Sequence, residues 1–466
     1  MSRILFLNPP SRQSVYLATN VRVGAPSYPN LTLATLAAHL VRNYEVKVLD
    51  LDLVQNVEEA VTSTIDSFHP DIVAASVKTP VYPVTLEIFK TIKTNFPSIT
   101  TIVGGVHITA CPEEAAQESC FDILAVGEGD TVLPEILSGK PLEEIAGLVF
   151  RDKLTGQITT TPKRPMLPDL NELPFPAWQL FDLPRYKNSR LSSRQNPVGH
   201  IETSRGCSYS CNFCSKLTFG TFYRVKRPQR VVDEMEYMLK CGFKEIHIAD
   251  DSFTQDIARA KEVCEEIIRR GLKFPWSLIN GVRVNLVDEE FFRLAKRAGL
   301  WQVGFGIETG DETVLERINK RADLDQVRQA VTAAEKAGVD SFGFFILGLA
   351  GETEQSMEKT IQLAKSLPLS TAKFDLCIPY PGTRYFEELA AENRIRSRNW
   401  ADFVVHQVDK PLFDHPNLTW SAINKYYHRA FREFYLRPSY ILHRLWRDIR
   451  NGDLLYDVAY FLKSKW

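Results

Sequence analysis

Residues 204–215 read SRGCSYSCNFCS and place three of the chain's 8 cysteines, Cys207, Cys211 and Cys214, within eight residues. Packing gives no reason for that spacing, so the stretch has to be read for its chemistry. It follows HIET, read as the first strand of a strand-helix series, and so falls on a loop at the carboxyl end of a strand. Further runs continue the rhythm: EIHIADD, WSLING, QVGFGIETG, SFGFFILGL and AKFDLCIPYPG, with amphipathic helical stretches such as QRVVDEMEYMLKCG and DQVRQAVTAAEKAG between them. Six strands alternating with helices predict a full or partial β/α barrel over 196–395, whose chemistry belongs at the strand carboxyl ends.

Upstream, RILFLNP, EVKVLDLD, DIVAASV, TTIVGGV and DILAVGEG alternate with helical patterns such as LTLATLAAHLVR and LEIFKTIKTNF. This predicts an α/β, doubly wound, Rossmann-like domain over 1–140, with ligands expected outside the strand carboxyl ends. Those ends carry Asn8-Pro9-Pro10, Ser76 to Thr79, Gly104-Gly105-Val106-His107 and Gly127-Glu128-Gly129. On the residues alone a nucleotide would fit this crevice as well as any other cofactor. Residues 141–195, with the proline-rich TTTPKRPMLPDLNELPFPAW, show no clear period and are expected to be a linker or wrapping segment. Residues 396–466 are aromatic and basic with helical spacing, which predicts a helical carboxyl-terminal region.

A chain of 466 residues is too long for one core and fits two or three domains. Its 44% hydrophobic and 24% charged composition is that of an ordinary globular protein. A formal net charge of -1 offers no field for a polyanion, which argues against nucleic acid as a partner. With no signal-peptide pattern and no run of about 20 apolar residues, a cytoplasmic chain with reduced cysteines is expected. Clustered reduced cysteines point to a metal site. Thiolates suit zinc or iron–sulfur clusters, but structural zinc normally takes four protein ligands, and Cys111, Cys120, Cys241, Cys264 and Cys377 form no second pair. Three cysteines would leave one iron of a four-iron cluster free to bind something else.

Cys-x-x-x-Cys-x-x-Cys after a barrel strand resembles the radical S-adenosylmethionine (SAM) superfamily. The resemblance implies a 4Fe-4S cluster on Cys207, Cys211 and Cys214, with SAM chelated at the open iron and cleaved on reduction to a 5'-deoxyadenosyl radical. It further implies SAM contacts at Phe213, at Asp250, Asp251 and Ser252 after the second strand, at Glu308 after the fourth, and at Gly348 and Glu352 after the fifth. For the acidic positions, a helix cap or solvated loop is the alternative. GGVHITACPEE with DILAVGEGD is similar to the cobalamin (B12)-binding domain that precedes the barrel in one branch of the superfamily. This implies cobalamin contacts at Pro10, Ser76, Thr79, Gly104, Gly105, His107, Gly127, Glu128 and Gly129. The Asp-x-His-x-x-Gly motif that ligates cobalt in other cobalamin domains is absent, so the lower face is expected against Ser76 to Thr79 without a histidine ligand.

These resemblances imply methyl transfer from methylcobalamin to an unactivated carbon, with an external electron donor such as flavodoxin or ferredoxin. The alternatives are a radical oxidative cyclisation on a tetrapyrrole or lipid without methyl transfer, and, from another class, a corrinoid- or redox-sensing binding protein. A catalytic acid or base is not identified. The carboxyl-terminal aromatics and arginines are expected either to cap the barrel or to meet a membrane and an apolar substrate.

Overall fold

The computed structural model describes residues 2–12, 26–152, 155–190, 192–406 and 410–451. The first sheet is built from β1 Arg3–Asn8, β2 Glu45–Asp50, β3 Ile72–Ser76, β4 Thr100–Gly104, β5 Ile123–Ala125, β6 Leu148–Arg151 and β7 Ile158–Thr160, in the order β2-β1-β3-β4-β5-β6-β7. Its first five strands are parallel. Strands of such a sheet are covered on both faces, and RILFLN and IVAAS are accordingly near-continuous apolar runs. The order reverses between β1 and β3, and the crevice outside the carboxyl ends at that point is where doubly wound sheets take ligands.

The pair β6 and β7 extends the sheet in antiparallel fashion, within the stretch expected to be a patternless linker. The expectation was drawn from the prolines that follow, whereas Leu148, Val149 and Phe150 are fully apolar and buried. Beyond Thr160 the chain does wrap, through short 3-10 turns at Leu170–Glu172, Trp178–Leu180 and Leu183–Arg185. Trp178 is fully buried and packs edge-on to Phe243 at 5.1 Å.

The second sheet contains all six expected strands, β8 Val198–Ile201, β11 Glu245–Ile248, β12 Trp276–Val282, β13 Leu300–Glu308, β14 Asp340–Leu347 and β15 Thr371–Leu376, side by side in chain order and parallel. Strands β8 and β15 are its edges, so the barrel is partial. Between β8 and β11 the chain forms a two-stranded ribbon, β9 Ser204–Arg205 with β10 Arg224–Val225. The loop bearing the cysteines joins these two strands. Along β14 and β15 buried and half-buried residues alternate strictly. Phe345, Leu347, Phe374 and Leu376 face the helices, and Phe342, Phe344, Lys373 and Asp375 face the lumen.

The helix Trp420–Tyr435 packs on this edge of the barrel through Tyr427 and Phe434, both fully buried, and Tyr435 Oη donates to Ala372 O at 2.7 Å. The barrel-cap expectation therefore holds for this helix. The last described helix, Pro438–Asn451, follows it; residues 452–466 of the tail lie outside the described residues.

Candidate active site

Asp250 and Asp251, at the end of β11, organise the loop that carries the cysteines. Asp250 is buried beneath it and accepts from Thr203 N at 2.5 Å, Thr203 Oγ1 at 2.5 Å and Ser204 Oγ at 2.6 Å. Asp251 accepts from Gly206 N at 3.1 Å. Gly206 has φ of 82°, and a Cβ there would lie 2.4 Å from Phe222 O, so only glycine allows the turn into Cys207. Cys207 is buried, Cys211 half-buried and Cys214 exposed, and all three thiols are free.

Among the described residues no three His, Cys, Asp or Glu side chains converge on a single metal ion. Thiolates that each bind a different iron of a cluster need not converge in that way. Cations accompany the thiols: burial works against the Lys216 ammonium, yet Cys214 and Cys207 hold its pKa above the usual lysine value. Three free thiols on one loop with cations beside them fit an iron–sulfur cluster.

Facing this loop across the domain boundary is a cavity of about 370 Å³. Its floor is the carboxyl-end face of the first sheet, where Ala74, Ala75, Ser76, Gly104 and Ala125 are small and leave room below the helix Leu31–Ala38. Gly127, Glu128 and Gly129 form one wall. Glu202, Arg205, Ser215, Lys216, Phe219 and Asp251 of the barrel side form the opposite wall. Gly105 turns the β4 loop with φ of 97°, and a Cβ there would meet Val77 N at 2.6 Å, so the β3 and β4 loops interlock closely. Lys78 also lines the cavity.

Of the positions expected to touch cobalamin, the structure brings Ser76, Gly104, Gly105, Gly127, Glu128 and Gly129 to this cavity. Pro10, Thr79 and His107 do not line it. His107 is fully buried, packed on Tyr82 at 4.3 Å and Trp400 at 5.2 Å, with Nδ1 3.4 Å from Thr79 Oγ1. Burial lowers its pKa to about 4, so it is a neutral core histidine. Its side chain points from the Gly-Gly-x-His turn into the packing between Tyr82 of its own domain and Trp400 of the carboxyl-terminal region, away from the cavity.

Among the expected SAM contacts, Asp251 reaches the cavity. Phe213 is half-buried against the hydrophobic core. Ser252 is buried, and its Oγ has no partner among the described residues. Glu308, with φ of 68°, forms a buried ion pair with Lys320 at 2.5 Å. Glu352 closes the turn after β14 by accepting from Gly348 N at 2.6 Å and Leu349 N at 3.1 Å. These acidic groups thus hold local structure at the strand ends, the role a cap would have.

Sequence reasoning missed the ion pairs that join the two walls. Arg205, two residues before Cys207, donates to Asp130 through Nη1 at 2.7 Å and Nη2 at 3.0 Å, and its Nε donates to Glu202 at 2.6 Å. Arg224 of β10 donates to Glu128 Oε2 at 3.0 Å, and Glu128 also accepts from Leu167 N at 2.8 Å. Glu128 therefore lines the cavity with its carboxylate already committed to the barrel side.

Residues 201–364 match the Radical SAM superfamily and residues 19–137 the B12 binding domain. The chain is 32% identical over 447 residues to an uncharacterized methyltransferase of Pyrococcus horikoshii, covering 94% of each. It is 27% identical over 479 residues to the anaerobic magnesium-protoporphyrin IX monomethyl ester cyclase of Rubrivivax gelatinosus, covering 99% of this chain and 82% of that one. Its fold is similar to the radical SAM methyltransferase TsrM of Kitasatospora setae, solved with cobalamin and a [4Fe-4S] cluster, at a TM-score of 0.70 and 19% identity over 94% of this chain and 92% of that one. A B12-binding sheet, a partial barrel and a three-cysteine loop facing one cavity make this chain a member of the cobalamin-binding radical SAM enzymes, whose cofactors are a 4Fe-4S cluster, SAM and cobalamin.

Proposed function

We propose that the enzyme transfers a methyl group to an unactivated carbon of a small molecule. The observation that carries this reading is a cavity walled on one side by the cobalamin-domain loops and on the other by the cysteine loop. The cofactors would supply the radical and the methyl group. Cys207, Cys211 and Cys214 would hold the cluster, Asp251 and Lys216 line the space beside it, and the Ser76 and Gly104-Gly105 turns would seat the corrin. The Arg205–Asp130 and Arg224–Glu128 pairs fix the two walls relative to each other. Several relatives named methyltransferases support this reading, among them the cytidylyl-2-hydroxyethylphosphonate methyltransferase of Streptomyces wedmorensis at 28% identity.

An apolar substrate, a lipid or a tetrapyrrole, fits the aromatic lumen face formed by Phe342 and Phe344, whose rings lie 5.0 Å apart. Such a substrate suits a peripheral membrane contact at the carboxyl-terminal helix, and reduction would come from a flavodoxin or ferredoxin. The test incubates reconstituted, reduced protein with SAM, cobalamin and apolar extracts of the source cell. Substrate-dependent formation of equal amounts of 5'-deoxyadenosine and S-adenosylhomocysteine is expected. 5'-Deoxyadenosine and a modified product without S-adenosylhomocysteine would overturn methyl transfer in favour of cyclisation.

A further inference from the structure

Arg283 lies immediately beyond β12, and the fold brings it to Cys211 although 72 residues separate them. Its Nη1 lies 3.7 Å from Cys211 Sγ. Its guanidinium sits on the face of Tyr209, inside the cysteine loop, 3.5 Å from the ring centroid. Nη2 donates to Lys320 O and lies 3.5 Å from Arg321 O. The group is 7% exposed, and Nε has no acceptor among the described residues, so it keeps one donor for an acceptor the chain does not supply.

The segment that receives Arg283 is shaped for the purpose. Asn319 and Arg321 both adopt left-handed backbone, at φ of 56° and 51°, a conformation uncommon for an arginine and kept only where surrounding contacts enforce it. The resulting turn directs Asn319 O toward Cys211 Sγ at 3.8 Å and the next two carbonyls toward Arg283. Asn319 Nδ2 donates to Ser210 O at 3.1 Å, and Asn212 N donates to Ile318 O at 3.1 Å. Cys211 is thus held between two elements of the barrel. Once ligated it has no S–H to give Asn319 O, and Arg283 is then the charged donor left at that sulfur.

We propose that Arg283 is a positioning residue that fixes Cys211 and raises the reduction potential of the cluster, an inference resting on the cluster assignment. A buried cation donating to a ligand sulfur stabilises the form with the extra electron, and hydrogen bonds to sulfur are among the recognised determinants of cluster potential. Lysine could not reproduce the planar contact with Tyr209 and the fork to the carbonyls.

The experiment compares parent, Arg283→Met, Arg283→Lys and Asn285→Ala, each reconstituted anaerobically, first for iron and sulfide content and then by potentiometric titration followed by electron paramagnetic resonance. Asn285 is the control, because its Nδ2 lies 3.5 Å from Tyr209 Oη and 3.3 Å from Arg321 O and so touches the same cradle without touching Cys211. Four irons per chain are expected in the parent. Arg283→Met should shift the midpoint to more negative potential, Arg283→Lys should shift it by a smaller amount, and Asn285→Ala should leave it in place. A parent without a cluster would refute the assignment beneath the inference. Loaded Arg283→Met at the parent's potential, or equal shifts in Arg283→Met and Asn285→Ala, would overturn the inference alone. Where Arg283→Met takes up no iron, Arg283→Lys decides: a parent-like potential in that variant overturns the proposal.

Discussion

Glu352 shows how a buried carboxyl can be structural and still titrate near neutrality. Burial pushes its pKa up to about 8, although Gly348 and Leu349 N–H groups donate to it and favour the charged form. The unfolded chain releases this proton near the ordinary glutamate value, while the native chain keeps it. The contribution to stability is therefore complete below about pH 4.5 and is lost as pH rises toward 8. Glu352→Gln keeps an oxygen for the two N–H groups and removes the titration. Its melting temperature should fall less than the parent's between pH 5 and pH 8, as measured by differential scanning fluorimetry; parallel curves would show that Glu352 does not titrate in this window. At the three cysteines, any single change to Ala removes a ligand with no neighbouring replacement, so the cluster's reduced signal and SAM cleavage should both vanish. Full SAM cleavage by Cys211→Ala would refute the cluster assignment. For His107, buried and neutral, the cob(II)alamin spectrum of the loaded protein should carry no histidine nitrogen splitting that is lost in His107→Ala.

Between elements, the decisive contacts are ion pairs that no local pattern announces. Arg205 and Asp130 are 75 residues apart, and Arg224 and Glu128 are 96 apart. Asp130 has its pKa lowered: burial opposes the charge, and Arg205 more than restores it. Asp130→Asn would leave Arg205 with Glu202 and, at 3.9 Å, Glu128. Breaking a buried pair typically costs about 3–5 kcal/mol, and with two carboxylates remaining the loss should lie at the low end, about 3 kcal/mol. The same change should loosen the wall between cobalamin and the cysteine loop, so cobalamin retention on gel filtration should drop with stability. A variant with parental unfolding midpoint and parental cobalamin content would show that the pair does neither job. The strands and the cysteine loop were legible because they are local: parallel strands buried on both faces spell apolar runs, and a metal loop spells its spacing. The hairpin at 148–160 escaped because prolines beyond it dominated the reading of that stretch. No local pattern marks Arg205 or Arg283, since only the folded chain supplies their partners.

At the scale of the molecule, two sheets face each other across one cavity, and the carboxyl-terminal region covers the edge of the second. No described helix is long and apolar enough to cross a membrane. Tyr426, Tyr427 and Phe434 are buried against the barrel, so the helix Trp420–Tyr435 belongs to the folded body and cannot be cut away without exposing it. The following helix differs. Leu436 just before it is 43% exposed, and Ile441, Leu442 and Leu445 on one of its sides are 46%, 66% and 41% exposed. Arg437, Arg444, Arg447 and Arg450 surround them in sequence, with Asp448 as the one acidic residue from 436 to 450. Apolar side chains flanked by arginines favour the interface of an anionic bilayer, through apolar insertion and charge together. A chain ending at Tyr440 keeps the barrel cap, including the bond from Tyr440 Oη to Ser370 O at 3.0 Å, and should fold, which circular dichroism and the melting temperature would check. The full chain should float with anionic liposomes and do so less at high salt, whereas the shortened chain should stay in the dense fraction. Negligible flotation of both forms would leave the helix as solvated surface and withdraw the membrane-borne route for an apolar substrate, while the cavity and its cofactor walls would stand as they are.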